Sequence, residues 1–164
     1  MRALPITPTA GLQAPAALAR EPAAKRPVIP ARNQITLAVS LDARGEEQAA
    51  SFSVEFDPAQ WQYVAAEPGR DAPGAQFIVN SLPSAQGRIG IVIALSQSQR
   101  ITPGARELVL LHFAPLHAGS RGRIEARFGN APVSSSVVDR DARAVSTTLE
   151  IRQIERPERR RSQK

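Results

Sequence analysis

The stretch Phe52–Gly69, FSVEFDPAQWQYVAAEPG, sets the reading of the whole chain. Phe52, Val54 and Phe56 alternate with Ser53 and Glu55, the period of two that turns one side of a β-strand to a core and the other to water. Asp57-Pro58 then stops the pattern. The carboxylate can accept N–H groups within a turn, and the proline has no N–H to give to a ladder. Trp61, Tyr63 and Ala65 resume the alternation, with all three on one face, until Pro68-Gly69 ends it. A single helical turn around Asp57–Gln62, capped by Asp57 ahead of Pro58, is the only helix this region suggests.

Outward from this segment the same grammar repeats. Ile35, Leu37, Val39 and Leu41 face one way against Thr36, Ala38 and Ser40. Gln76–Ser81 is short and apolar. Arg88–Leu95 and Arg106–Ala114 are apolar on both faces, as strands in the middle of a sandwich are, with Gly90 the odd member of the first. Arg123–Phe128, Val133–Val138 and Ala144–Arg152 complete the series. Pro73-Gly74, Pro103-Gly104, Gly119 with Gly122, and Gly129 with Pro132 punctuate it. Short strands at regular spacing with such turns predict an all-β, antiparallel β-sandwich of about eight or nine strands.

The chain of 164 residues has a net charge of +6, and that charge is unevenly placed. Arg2, Arg20, Lys25, Arg26 and Arg32 face only Glu21 in residues 1–32. Arg156, Arg159, Arg160, Arg161 and Lys164 face Glu155 and Glu158 in residues 153–164. The 33–152 segment between them is nearly neutral. Residues 1–32 are rich in proline and alanine, which fix the backbone and offer little to bury, so they are expected to form a disordered linker. Within it, Pro27-Val28-Ile29-Pro30 is an apolar piece that could dock on the domain. Residues 33–152 are the sandwich and 153–164 a basic polar tail. Neither tail interleaves aromatics with its charges, so no specific nucleic-acid binding is expected.

The chain has no cysteine, which removes disulfides, thiolate metal sites and a cysteine nucleophile. No apolar run approaches the roughly 20 residues of a membrane span, and Pro5, Pro8 and Pro15 interrupt any signal-peptide core.

FSVEFDPAQWQYVAAEPG, with QFIVNS, GRIGIVIAL, TPGARELVLLHF and RFGNAPVSSSVVDRDARAV after it, resembles the cohesin domain. The likeness spans about residues 34–152 and is closest to cohesin-like modules of bacterial surface and secreted proteins. It implies a nine-stranded jelly roll related to family-3 carbohydrate-binding modules. It also implies a sheet face that binds a protein partner, a dockerin in scaffoldins, where the calcium belongs to the dockerin. The chain departs from the pattern twice. The region before Ile35 is Pro/Ala-rich where the family has its first strand, and Ala49 and Ser51 stand where dockerin-binding scaffoldin members carry Asn and Asp.

Candidate chemistry is sparse. His112 and His117 are the only histidines and neither sits in a catalytic motif, so no enzyme activity is expected. Asp139-Arg140-Asp141 has no third carboxylate in step and reads as an Asx-stabilised turn, with no metal. Glu46-Glu47 near Asp42 reads as a solvated hairpin tip. No cofactor is expected. Trp61 and Tyr63 could stack on a sugar if exposed, although the family pattern makes them core.

The expected function is a non-catalytic protein–protein interaction module of an extracellular or surface assembly. The solvent side of the strand from Ala49 to Phe56, namely Ser51, Ser53 and Glu55, is the expected partner face. One alternative is carbohydrate binding through Trp61 and Tyr63, which would tie the chain to polysaccharide breakdown. Another is a structural spacer without a ligand.

Overall fold

Each of these alternating segments supplies a β-strand in the computed structural model, which describes residues 34–96, 98–117 and 122–154. The strands are β1 (Ile35–Ala43), β2 (Glu47–Phe56), β3 (Trp61–Pro68), β4 (Gln76–Asn80), β5 (Arg88–Ala94), β6 (Gly104–Pro115), β7 (Ala126–Gly129), β8 (Ser136–Asp139) and β9 (Leu149–Ile154). One sheet has the order β3-β6-β1-β9; the other runs β4-β5-β2, with β7 and β8 both paired to the far side of β2. Every pairing is antiparallel. The two apolar-on-both-faces segments are β5 and β6, each flanked by strands on both sides. The linker 1–32 and the tail from residue 155 onward lie outside the described residues, and β9 continues through Gln153 and Ile154.

Leu37, Val39, Leu41, Phe52, Val54, Ile89, Ile91, Leu111 and Phe113 meet between the sheets and are almost wholly buried. Aromatic edges pack both between the layers (Phe56 on Phe113) and within them (Tyr63 on Phe113, Phe52 on Phe128). Phe56 and Tyr63 meet Phe113 at centroid distances of 5.0 and 6.0 Å, and Phe52 meets Phe128 at 5.8 Å, all edge to face. Such pairs add about 1 kcal/mol each beyond the area they bury.

Asp57 caps a single turn that goes no further, its carbonyl accepting the Trp61 N–H at 3.0 Å. Its Oδ1 accepts the Ala59 N–H at 2.9 Å and its Oδ2 the Gln60 amide at 2.7 Å, closing a turn between β2 and β3. A register shift between Tyr63 and Ala65 corrects the expected shared face of Trp61, Tyr63 and Ala65. The extra residue, Val64, flips the phase, so Ala66 instead of Ala65 packs on the core.

Among the described residues no strand precedes β1, and β9 lies directly against it, Thr36 opposite Ile154 and Leu41 opposite Leu149. Among the described residues β9 is therefore at the edge of its sheet.

A candidate docking face on the second sheet

The registers of β4, β5, β2, β7 and β8 align the outward side chains of the second sheet in rows. Gln76, Ala94, Ala49 and Val138 form one row; Ile78, Val92, Ser51 and Ser136 form the next. Asn80, Gly90, Ser53 and Gly129 follow, and Arg88, Glu55 and Arg127 close the face. The first two rows carry no formal charge. The last is an ion triad, with Arg127 Nη2 2.9 Å and Arg88 Nε 3.9 Å from the Glu55 carboxylate.

The third row is covered. The segment joining β7 to β8 folds back over it. Ser53 Oγ donates to the Val133 carbonyl at 2.6 Å and accepts the Val133 N–H at 2.8 Å. Ser51 Oγ donates to the Ser134 carbonyl at 2.9 Å. Gly90 makes the approach feasible: a Cβ there would stand 2.7 Å from Pro132 Cγ and 2.8 Å from Val133 Cγ2. Only a residue without a side chain leaves that space.

This removes one residue, Ser53, from the expected partner face of Ser51, Ser53 and Glu55. Ser53 is 0 % exposed and cannot touch a partner. The hydroxyl of half-buried Ser51 is spent on Ser134, and half-buried Glu55 on two arginines. Their polarity serves the fold: each hydroxyl pins backbone that would otherwise lie unpaired over the sheet.

What the covering segment leaves open is the β4 side. Ile78 is 66 % exposed at the edge of the uncharged rows, and Leu82 is 79 % exposed in the single 3-10 turn, Leu82–Gln86, that follows β4. Asn80 Oδ1 accepts the Leu82 N–H at 3.3 Å, fixing where that turn leaves the strand. Sequence reasoning passed over both residues. The signal available was a leucine directly before a proline, in a loop where nothing requires an apolar side chain.

The other candidate sites resolve differently. Trp61 and Tyr63 are 4 % and 7 % exposed and face the core, so they offer no flat ring surface to a sugar. That removes the stacking platform at these two residues. Glu47 is buried, not solvated: its carboxylate accepts the Arg44 and Gly45 N–H groups at 2.6 and 2.9 Å and ties the β1–β2 turn. Asp139 Oδ1 accepts the Asp141 and Arg143 N–H groups at 2.9 and 2.8 Å, the arrangement of an Asx turn. No group of three or more histidine or carboxylate side chains converges on a metal position among the described residues. His112 lies on the opposite sheet, its Nδ1 3.1 Å from the Thr36 hydroxyl and its Nε2 3.6 Å from the Glu67 carboxylate, whereas His117 is exposed beyond β6. No helix among the described residues is long and apolar enough to cross a membrane.

No family model matches the chain, and no curated protein sequence does either. Solved structures do. The type II cohesin A11 of Bacteroides cellulosolvens superposes with a TM-score of 0.57 at 14% identity, over 69% of this chain and 82% of its own. The sixth cohesin of scaffoldin B from Acetivibrio cellulolyticus, solved in complex with a mutant Cel5 dockerin, gives 0.54 at 17% identity over 69% and 81%. A non-cellulosomal cohesin from the hyperthermophilic archaeon Archaeoglobus fulgidus gives 0.51 at 12% identity over 70% and 73%. At such identities the likeness is one of fold.

Proposed function

Starting from a sandwich of the cohesin fold, we propose that this chain is a non-catalytic docking module whose partner is a protein. The observation that carries the reading is the pair of uncharged rows on the outer face of β4, β5 and β2, flanked by exposed Ile78 and Leu82 and rimmed by the Arg88–Glu55–Arg127 triad. An apolar centre with a charged rim is the anatomy of a protein-binding patch. Burying Ile78 and Leu82 against a partner supplies about 2 kcal/mol each. The resemblance implies a partner on a sheet face, and in support of it the Acetivibrio structure was solved with a dockerin bound.

The partner is dockerin-like in its mode of docking but meets different polar chemistry. Ala49 has no polar group to give, and the Ser51 hydroxyl is already engaged by Ser134. An apolar stripe facing Ile78, Val92 and Leu82 is the complement this face calls for. The same reading puts the chain in an extracellular or surface assembly. Carbohydrate binding loses its support with the burial of Trp61 and Tyr63.

Immobilised full-length chain incubated with envelope and secreted fractions of the native organism tests the proposal. The expected result is one protein retained in stoichiometric amount. Retention of none would leave a spacer as the better description.

A further inference from the structure

Among the described residues most sheet edges are blunted. In the first sheet, β9 carries exposed Glu150 and Arg152, and β3 is bulged at Val64 and ends in Glu67-Pro68. In the second, β7 and β8 are four residues each and carry Arg127 and Asp139. Charge, bulge, proline and shortness are the devices that keep an edge, with its row of unpaired N–H and C=O groups, from recruiting another strand.

β4 has only its shortness. Its five residues, Gln76-Phe77-Ile78-Val79-Asn80, include no charge and no proline, and its register against β5 runs without a shift. It pairs with β5 alone. The turn Leu82–Gln86 that follows it packs toward β5 and β3, so among the described residues no strand or turn pairs with the other side of β4. Phe77 and Val79 pack half-buried on the core, and Gln76, Ile78 and Asn80 are exposed on the outer face.

The strand is also self-complementary. About a two-fold axis at Ile78, an antiparallel second β4 sets Ile78 opposite Ile78, Phe77 opposite Val79 and Gln76 opposite Asn80. Apolar meets apolar and amide meets amide, with no like charges facing. Asn80 uses its side-chain oxygen on the Leu82 N–H, which leaves its amide NH2 to donate to the Gln76 side chain of the second copy. Residues directly opposite in an antiparallel pair have Cβ atoms about 5 Å apart, within reach of such a bond.

We propose that β4 is a self-association edge, on which two copies of this chain pair antiparallel about Ile78 and join their second sheets into one. A patch that matches itself is what a closed two-fold dimer requires. Five residues a side fall short of the roughly 1,200 Å² that a stable interface buries, so the dimer is weak and depends on concentration. The pairing uses the edge of β4 and stands whether or not a partner docks on the outer face.

Sedimentation of the full-length chain by itself, from about 10 μM to about 1 mM, reads the association without any docking partner. The expected result is a monomer–dimer equilibrium that moves to dimer as concentration rises. Gln76→Glu with Asn80→Asp sets carboxylates opposite carboxylates and is expected to weaken the dimer at least tenfold. Gln76→Lys with Asn80→Asp sets opposite charges there and is expected to dimerise at least as tightly as the wild-type chain. Both variants keep an oxygen for the Leu82 N–H and leave Ile78 and Leu82 unchanged. A wild-type chain that stays monomeric throughout would overturn the proposal, as would a dimer that the two variants form equally well or lose equally.

Discussion

Ser53 and Val133 exchange two hydrogen bonds through one hydroxyl: Ser53 Oγ lies 2.6 Å from the Val133 carbonyl oxygen and 2.8 Å from its amide nitrogen. Eighty residues separate the two, so a single buried hydroxyl fixes where the β7–β8 connection crosses the second sheet. That crossing divides the face into a covered half and an open half, and only the open half is available for docking.

Replacing Ser53 with alanine leaves the part-buried Val133 carbonyl and N–H without their side-chain partner. The expected loss is about 2 kcal/mol, read as a lower urea midpoint with an unchanged slope. Loss of under 0.5 kcal/mol would mean that water replaces the hydroxyl and that the segment is not pinned by it.

Gly90→Ala inserts a methyl group where Pro132 and Val133 stand within 2.8 Å. It is expected to destabilise by about 1–3 kcal/mol, the cost of overpacking, and to speed amide exchange in residues 131–135 more than in β2. Equal effects in both segments would show that the sheet, not the covering segment, yields.

Acid should loosen the β3–β4 connection only once pH falls below the ordinary carboxylate range. The Asp71 carboxylate accepts the Glu107 N–H at 2.8 Å, and Arg70 and Arg106 stand 3.3 and 3.7 Å away. The Glu107 N–H foremost, then the two arginines, holds its pKa below the ordinary 3.8 against the opposing effect of burial. A carboxyl depressed in the folded state stabilises fully above its unfolded pKa and loses that contribution as pH falls through the folded one. Asp71→Asn is therefore expected to lower stability at pH 7 by about 1 kcal/mol, and to flatten the loss below pH 4. A variant whose deficit stays constant down to pH 2 would contradict this.

Trp61→Ala should act on the fold and not on sugar binding. The ring is 4 % exposed, so truncation is expected to cost about 3–5 kcal/mol. In a polysaccharide co-sedimentation assay the wild-type chain is expected to stay in solution. Co-sedimentation that Trp61→Ala abolishes while the variant remains folded would restore the sugar reading.

The strands were legible because a two-residue period survives wherever one face is buried; Ile35–Leu41 and Phe52–Phe56 show it without interruption. What the sequence hid depends on contacts between distant segments. Ser53 looks like any solvent-side residue of an alternating strand, and only the return of Val133, 80 positions later, buries it. Gly90, anomalous in an apolar run, was the one local sign of a close backbone approach. Glu47 looked solvated because its partners are N–H groups of its own turn, which no side-chain pattern displays. The Val64 bulge adds one residue and so reversed the expected direction of Ala65. Ile78 and Leu82 fell in a short apolar segment and a loop, where no period distinguishes an exposed apolar side chain from a buried one.

The most direct test of the docking account is paired capture with full-length variants. Ile78→Asp with Leu82→Asp alters two exposed residues of the open half-face, and Glu67→Lys alters an exposed residue on the opposite sheet. Both variants are expected to keep the wild-type unfolding midpoint within about 0.5 kcal/mol, as surface changes do. The account predicts that the protein retained by the wild-type chain is also retained by Glu67→Lys, and is weakened at least tenfold by the Ile78/Leu82 variant. Full retention by the Ile78/Leu82 variant, with loss on Glu67→Lys, would place the partner on the other sheet and contradict the account.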